Sequence, residues 1–543
     1  MNNEDRNILS ADQGGPELHL DRRELMKFGA TAVGMAAMAP MAGAQEGRGE
    51  RSRPAPGSSR PAGDIAPFTG IGYKNTANRL HGNGPMDDTT RKIVSWVHGF
   101  KESDVTPAAK KRFDETMIDS MASLIAGFEE ENCRIAARVA KHAAPTTLKC
   151  TVLGYGVQTT PELATFANGC LIREVDFDDN AEGGHVSTLI PAALALGEAL
   201  NCTGAQVMEA IVVGYEVASV PCGGESVIAA MVAGKLMGLD EDRLANALSI
   251  ALTPHIALNK GVGALSMWKG TRSAESAKCG VWAAILAKEG MTGPPQPFEG
   301  RGGFWASQAG RTVGGDGGGG VDANGMGRPF TLPKRTDGMA IERNWFKRRP
   351  SEASSQGILR MMPDVRAWVK PEEVAWIHWE TSYSVWEEIC DAPKWDPTNR
   401  ETSDHSEPYI IARALIEGDV YMDSFNDMTK VNDPAARALM AKTTMSPVRG
   451  WQGLGVGRLT ITKNSGEVKA FDTYNGVRDL QLPDFVNFTP EEIVAKWNKA
   501  CAFKKVTNAQ RDQAYKLWSN LSAVKNFGDA IKSLATFGQP KPL

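Results

Sequence analysis

The strongest constraint on the fold is a change of hydrophobic period part-way along the chain. From about Asp87 to Ala309, apolar residues recur at helical spacing, as in "DETMIDSMASLIAGF" and "RLANALSIAL". "PAALALGEAL" opens with Pro191, suited to a first helical turn, and Thr203 caps the next helical run. Further on the period shifts. "VAWIHWETS" alternates as a half-buried strand does, and "GRLTITKNSGEVKAF" reads as two short strands around Asn464-Ser465-Gly466. Between them "EPYIIARALIEG" predicts a helix ending at Gly418. "TPEEIVAKWNKA" then carries Thr489 as cap, Pro490 in the first turn and Glu492 as reciprocal partner, so the C-terminal stretch returns to helix. With 543 residues the chain exceeds a single core. The expected fold is mainly α: a large all-helical domain over 87–335 and 483–543, with a smaller α+β domain over 336–482 inserted.

The amino terminus reads as an address. Paired Arg22 and Arg23 precede Lys27, an apolar run from Phe28 to Met41, and the small residues Ala42-Gly43-Ala44. The run is shorter than the roughly 20 residues needed to span a bilayer, and the segment 1–44 resembles a twin-arginine signal peptide. The expectation is a periplasmic protein exported folded, with no membrane contact after cleavage. Residues 45–86 begin with a Gly/Pro/Ser/Arg-rich run and read as a linker. The formal charge of −4 argues against a nucleic-acid partner, which needs a basic face. None of the eight cysteines forms a C-x-x-C pair, so no zinc knuckle or thioredoxin-like site is expected. The Gly-rich stretch 310–329 lacks the lysine and spacing of a phosphate loop and reads as a loop.

The chemistry concentrates in "REVDFDDNAEGGHVST", where Glu174, Asp176, Asp178, Asp179 and Glu182 crowd around Phe177 and end at His185. Three things can hold such like charges together. Calcium fits Asp176, Asp178 and Asn180 at the first positions of a binding loop, but Ala181 and Ser187 stand where a glycine and a bidentate glutamate are needed. A structural turn needs Asp178, Asp179 and Asn180 only as backbone caps. A proton-transfer site needs His185 folded back onto Asp176, which the Gly183-Gly184 pair permits.

"FANGCLIREVDFDDNAEGGHVSTLIPAALALGEAL", followed by "GYEV", resembles the MmgE/PrpD family, which includes 2-methylcitrate dehydratases and cis-aconitate decarboxylases. "CTVLG", "SMWKG", "ILAKEGMTGPPQPFEGRGGFW" and "KWDPTNRETSDHSEPYIIARAL" agree in the same order over roughly residues 88–500. The resemblance implies a helical domain and an α+β lid with the site between them, a homodimer, a small polycarboxylate substrate, and no metal or organic cofactor. It places Asp176 on the aspartate of a D-F-D-D motif, His185 on a site histidine and Lys269 on a site lysine. The lid motif departs from the family, with Ala353 and Ser354 where tyrosine and histidine are usual. The expected catalytic set is His185, Asp176 and Lys269: His185, oriented by Asp176, does acid–base work. Arg272 is expected to hold carboxylate, with Arg173, Asn180 and His405 as further substrate-binding candidates. Arg173 equally suits an ion pair with Glu174 or Asp176. Three functions remain open: a carbon–oxygen lyase dehydrating a 2-methylcitrate-like acid, a decarboxylase or epimerase of a related polycarboxylate, and a non-catalytic periplasmic binding protein.

Overall fold

Helix starts follow the capping chemistry written in the chain. Thr106 accepts the Ala109 amide to begin α2 (Pro107–Gly127), after α1 (Asp88–Gly99). Thr203 and Gln206 cap α6 reciprocally, and Thr489 and Glu492 do the same for α14. The computed structural model describes residues 86–145, 147–181, 184–255, 263–300, 303–308, 330, 332–333, 338–451, 453, 455–473 and 488–543. The expected signal segment, the linker apart from Met86, the Gly-rich stretch 310–329, Glu182, Gly183 and both expected lid boundaries lie outside the described residues.

The helices α3 (Glu131–Ala140), α4 (Pro161–Arg173), α5 (Ile190–Ala199), α6 (Gly204–Ala218), α7 (Glu225–Leu236), α8 (Glu241–Leu252) and α9 (Trp268–Lys288) share one core with α1 and α2. Small residues permit backbone approach. A Cβ on Gly280 of α9 would lie 2.4 Å from the Ser226 carbonyl of α7, so only glycine lets these two helices meet there. The expected all-helical character needs one correction. Cys150–Val152 (β1) and Val157–Thr159 (β2) pair antiparallel beside α4. Three-residue strands are too short for an alternating pattern to show in the sequence.

A second core lies over a four-stranded sheet of order β4-β3-β5-β6. Here β3 (Val374–Thr381) runs parallel to β4 (Thr443–Pro447) and antiparallel to β5 (Gly457–Lys463), which pairs with β6 (Val468–Asp472). Ile377 opposite Ile461, and Leu459 opposite Trp379, point into that core. They meet Ile358, Leu359 and Met362 of α10 (Ser355–Trp368) and Ile411 and Leu415 of α12 (Glu407–Glu417). The short α11 (Arg400–Ser403) precedes α12, and α13 (Pro434–Ala441) leads into β4. Gly418 closes α12 at φ 93°, a left-handed cap glycine adopts without strain.

The last helices are α14 (Pro490–Phe503), α15 (Asn508–Trp518) and α16 (Phe527–Ser533). α14 packs along α2, where buried Lys496 pairs with Asp119 and also donates to the carbonyls of Phe177 and Lys347. One ammonium thus ties the C-terminal helix to the acidic turn and to the segment entering α10. Among the described residues no helix is long and apolar enough to cross a membrane.

Candidate functional site

The acidic turn begins where α4 ends. Arg173 occupies the last turn of α4, and the Asp176 amide donates to its carbonyl at 3.3 Å, reversing the chain. Asp176 sits at φ 50°, a left-handed conformation that Asp and Asn tolerate better than other non-glycine residues. Its carboxylate is 2% exposed and forms the hub of the site. Oδ1 receives Arg173 and, at 2.9 Å, Lys347 Nζ, with His185 Nε2 at 3.9 Å. Oδ2 faces Lys269 Nζ at 3.7 Å and His405 Nε2 at 3.8 Å. Burial alone would push this carboxyl up, but Arg173, Lys269 and Lys347 outweigh it and hold Asp176 well below the usual range.

The other carboxylates of the turn are partnered too. Asp178 accepts from Arg173 at 3.1 Å and from the Ser187 hydroxyl at 2.9 Å. Asp179 accepts from the Ser187 amide, the Tyr215 hydroxyl at 2.6 Å and Asn344 at 2.8 Å. Glu174 turns the opposite way, to Asn132 and Arg400, and burial pushes it up to about 7. The carboxylates tolerate one another because imported cations and donors lie between them.

Lys269 enters from the first turn of α9, and Asp404, just after α11, receives it at 3.3 Å and Arg400 at 3.2 Å. Burial opposes ionisation of Asp404, yet Lys269 and Arg400 bring it down to about 2. His405 Nδ1 lies 2.6 Å from Asp404 Oδ1. Burial and then Lys269 pull His405 down to about 4. His185 follows the same rule: burial and then Arg173 press it well below its usual value, against the pull of Asp178. Its Nδ1 lies 3.2 Å from the Asp179 carbonyl, which can only accept, so the ring donates there and leaves the Nε2 lone pair available.

Charge bookkeeping within this network is lopsided. Arg173, Lys269, Lys347 and Arg400 face three firmly ionised carboxylates, Asp176, Asp178 and Asp404, and Glu174, which burial holds at about 7, while both imidazoles are neutral. Two guanidinium donors, Arg173 Nε and Arg400 Nη2, are buried without a hydrogen-bond partner among the described residues. His185, at 22% side-chain exposure, is the open edge of an otherwise sealed cluster. Oxygens and ring nitrogen of Asp176, Asp178 and His185 lie within 4.8 Å of one another, a spacing a metal could use. Arg173 bridges both carboxylates and Lys347 takes Asp176, so the chain's own cations already neutralise that donor set.

Of the residues expected from sequence, the structure brings Asp176, His185, Lys269, Arg173 and His405 together. Arg272 pairs instead with Glu225 at 3.1 Å, and the contacts described for it do not reach Asp176. Asn180 is fixed through its backbone, exchanging hydrogen bonds with Trp345 at 2.9 and 2.8 Å. Lys347, Asp404 and Arg400 escaped the sequence reading. Asp404 neighbours a histidine singled out there, but nothing local marks Lys347. A cavity of about 220 Å³ lined by Trp345, Arg348, Arg349, Gln356, Arg360 and Glu492 shares no residue with this cluster. Arg348 is held there by Glu492, and Arg349 by Asp419.

The MmgE/PrpD N-terminal domain profile matches residues 91–312, and the C-terminal domain profile matches residues 350–517. The chain belongs to the MmgE/PrpD family. Within the family it is 24% identical over 495 residues to the cis-aconitate decarboxylase-like protein oryM of Aspergillus oryzae, covering 83% of this chain and 97% of that protein. It is 24% identical over 398 residues to cis-aconitate decarboxylase of Homo sapiens, covering 66% and 77%. The Mus musculus cis-aconitate decarboxylase aligns at 22% identity over 480 residues, 83% and 90% of the two chains.

Proposed function

We propose that this MmgE/PrpD protein is a lyase that decarboxylates a cis-aconitate-like tricarboxylate. The observation that carries the reading is the surplus of buried cations around Asp176, together with two guanidinium donors, Arg173 Nε and Arg400 Nη2, that find no hydrogen-bond partner among the described residues. Such a site attracts a polyanion and offers fixed donors that need no reorganisation, so they are worth more than the same groups in water. The names of the relatives favour loss of CO₂ as the reaction. Breaking the C–CO₂ bond leaves its electron pair on the substrate. Neighbouring carboxylates spread that charge, and Lys269 and Arg173 stabilise it.

A second reading rests on His185. A neutral ring with Nε2 available is a base, which loss of water from a 2-methylcitrate-like acid requires for the α-proton. Proton NMR with a panel of citrate-like acids separates the two, since one releases CO₂ and the other yields an alkene with water lost. Saturable binding of these acids with no turnover would instead support a binding protein.

A further inference from the structure

The strip of chain that carries Lys347 runs antiparallel against the acidic turn. Asn180 and Trp345 exchange backbone hydrogen bonds, and Asn344 donates to the Asp179 carboxylate at 2.8 Å. At the other end of the contact Lys347 Nζ spans the Asp176 carbonyl at 3.1 Å and its Oδ1 at 2.9 Å. Phe177 and Lys347 are buried there, and a buried backbone carbonyl needs a donor. Both carbonyls find the same one: Lys496 Nζ, at 2.5 Å from Phe177 and 3.2 Å from Lys347.

Lys496 is built for that grip. It comes from α14, 149 positions beyond Lys347 and 319 beyond Phe177, and its side chain is 3% exposed. The three N–H donors of an ammonium meet three acceptors: the two carbonyls and Asp119 Oδ1 at 2.5 Å. Asp119 Oδ2 has no hydrogen-bond partner among the described residues. The ammonium thus directs two donors to the carbonyls rather than to both oxygens of its counter-ion. Nζ also lies 3.8 Å from the centre of the Phe177 ring, where the aromatic face attracts a cation.

We propose that Lys496 is a positioning residue of the site: by holding the Phe177 and Lys347 carbonyls together it fixes where Lys347 meets Asp176, and through Asp176 the setting of His185. Its effect on rate rests on the lyase reading. Lys347 Nζ and His185 Nε2 address the same oxygen, Asp176 Oδ1, at 2.9 and 3.9 Å. A shift of Lys347 along the strip therefore moves that carboxylate against the imidazole. Lys496 acts through backbone carbonyls, not on the substrate.

Two variants of the full-length protein test it. Lys496→Met removes the grip but leaves Asp119 buried without its cation, which lowers stability. Lys496→Met combined with Asp119→Leu replaces the ion pair by apolar groups, an exchange that is often neutral or stabilising. The double variant should regain urea stability toward wild type, while cis-aconitate turnover stays down by about 10- to 10²-fold, the scale of a misplacement of about 1 Å. The loss should fall on kcat rather than KM, because Arg173 and Lys269 keep Asp178 and Asp404 and still hold carboxylate. Turnover that recovers together with stability overturns the positioning role and leaves the lyase reading standing. Hydrogen exchange read by mass spectrometry, on whichever of the two variants is folded, needs no substrate. Peptides covering 174–181 and 344–350 should both exchange faster than in wild type, with α16 unchanged. Wild-type exchange at both segments overturns the role. No turnover of any citrate-like acid by wild type overturns the lyase reading alone, and the exchange result still decides the placement of the strip.

Discussion

Neutralising Asp176 tests the charge logic of the site most directly. In Asp176→Asn the shape is kept, and the left-handed φ of 50° stays tolerable because asparagine accepts it. What disappears is the carboxylate shared by Arg173, Lys347 and Lys269, whose side chains are 3%, 0% and 2% exposed; Arg173 keeps Asp178 and Lys269 keeps Asp404. Breaking a buried ion pair by removing one partner costs about 3–5 kcal/mol, a large share of the about 5–15 kcal/mol that holds most domains folded. Asp176→Ala adds the left-handed penalty of about 1–2 kcal/mol. With an m-value of about 3 kcal/mol/M, the asparagine variant should unfold at roughly 1–1.7 M less urea at pH 7, and the alanine variant lower still. The pH dependence supplies the sign. Asp176 titrates in the folded protein well below its ordinary 3.8, so its contribution is present above that value and is lost as pH falls through the folded value. The gap between wild type and Asp176→Asn should therefore narrow in acid. A variant as stable as wild type at pH 7, or a gap that widens below pH 4, would show that the cations do not depend on this carboxylate.

His185→Ala should lower turnover at least about 10²-fold, and a folded variant with unchanged turnover removes His185 from the chemistry. His405, held near 4 rather than its ordinary 6.5, contributes stability that is complete above 6.5 and lost as pH falls toward 4; His405→Gln should flatten urea midpoints across that window. Tyr215→Phe removes the 2.6 Å hydrogen bond to Asp179 and should cost about 1–3 kcal/mol by urea titration, a neutral result disproving its structural role. If the amino-terminal segment is an export signal, replacing Arg22 and Arg23 by lysine should retain the protein in the cytoplasm, which cell fractionation checks.

Local physics made much of the framework legible. The Thr489–Glu492 capping box, the α12 stop at Gly418 and the alternation in β3 depend on neighbours a few residues apart, and each appears where the sequence puts it. The concentration of chemistry in the turn after Arg173 was equally visible, because the acidic residues and His185 stand within one short stretch. The partner of Arg272 was not legible: it lies near Lys269 in sequence, yet its guanidinium pairs with Glu225 on α7. Side chains three residues apart on a helix share a neighbourhood, but not necessarily a partner.

The sequence by itself therefore determined the helices, the sheet, the family and the acidic turn. Only the tertiary structure decided what that turn is. Lys347 reaches Asp176 across 171 positions, and Arg400 reaches Glu174 across 226. Burial and the cations together then set the charges: the cations keep Asp176 and Asp404 ionised against burial, and burial keeps His185 and His405 neutral. Helical period and caps are short-range properties of the chain. Desolvation and charge compensation depend on which distant side chains share a low-dielectric space, and only folding brings those side chains together.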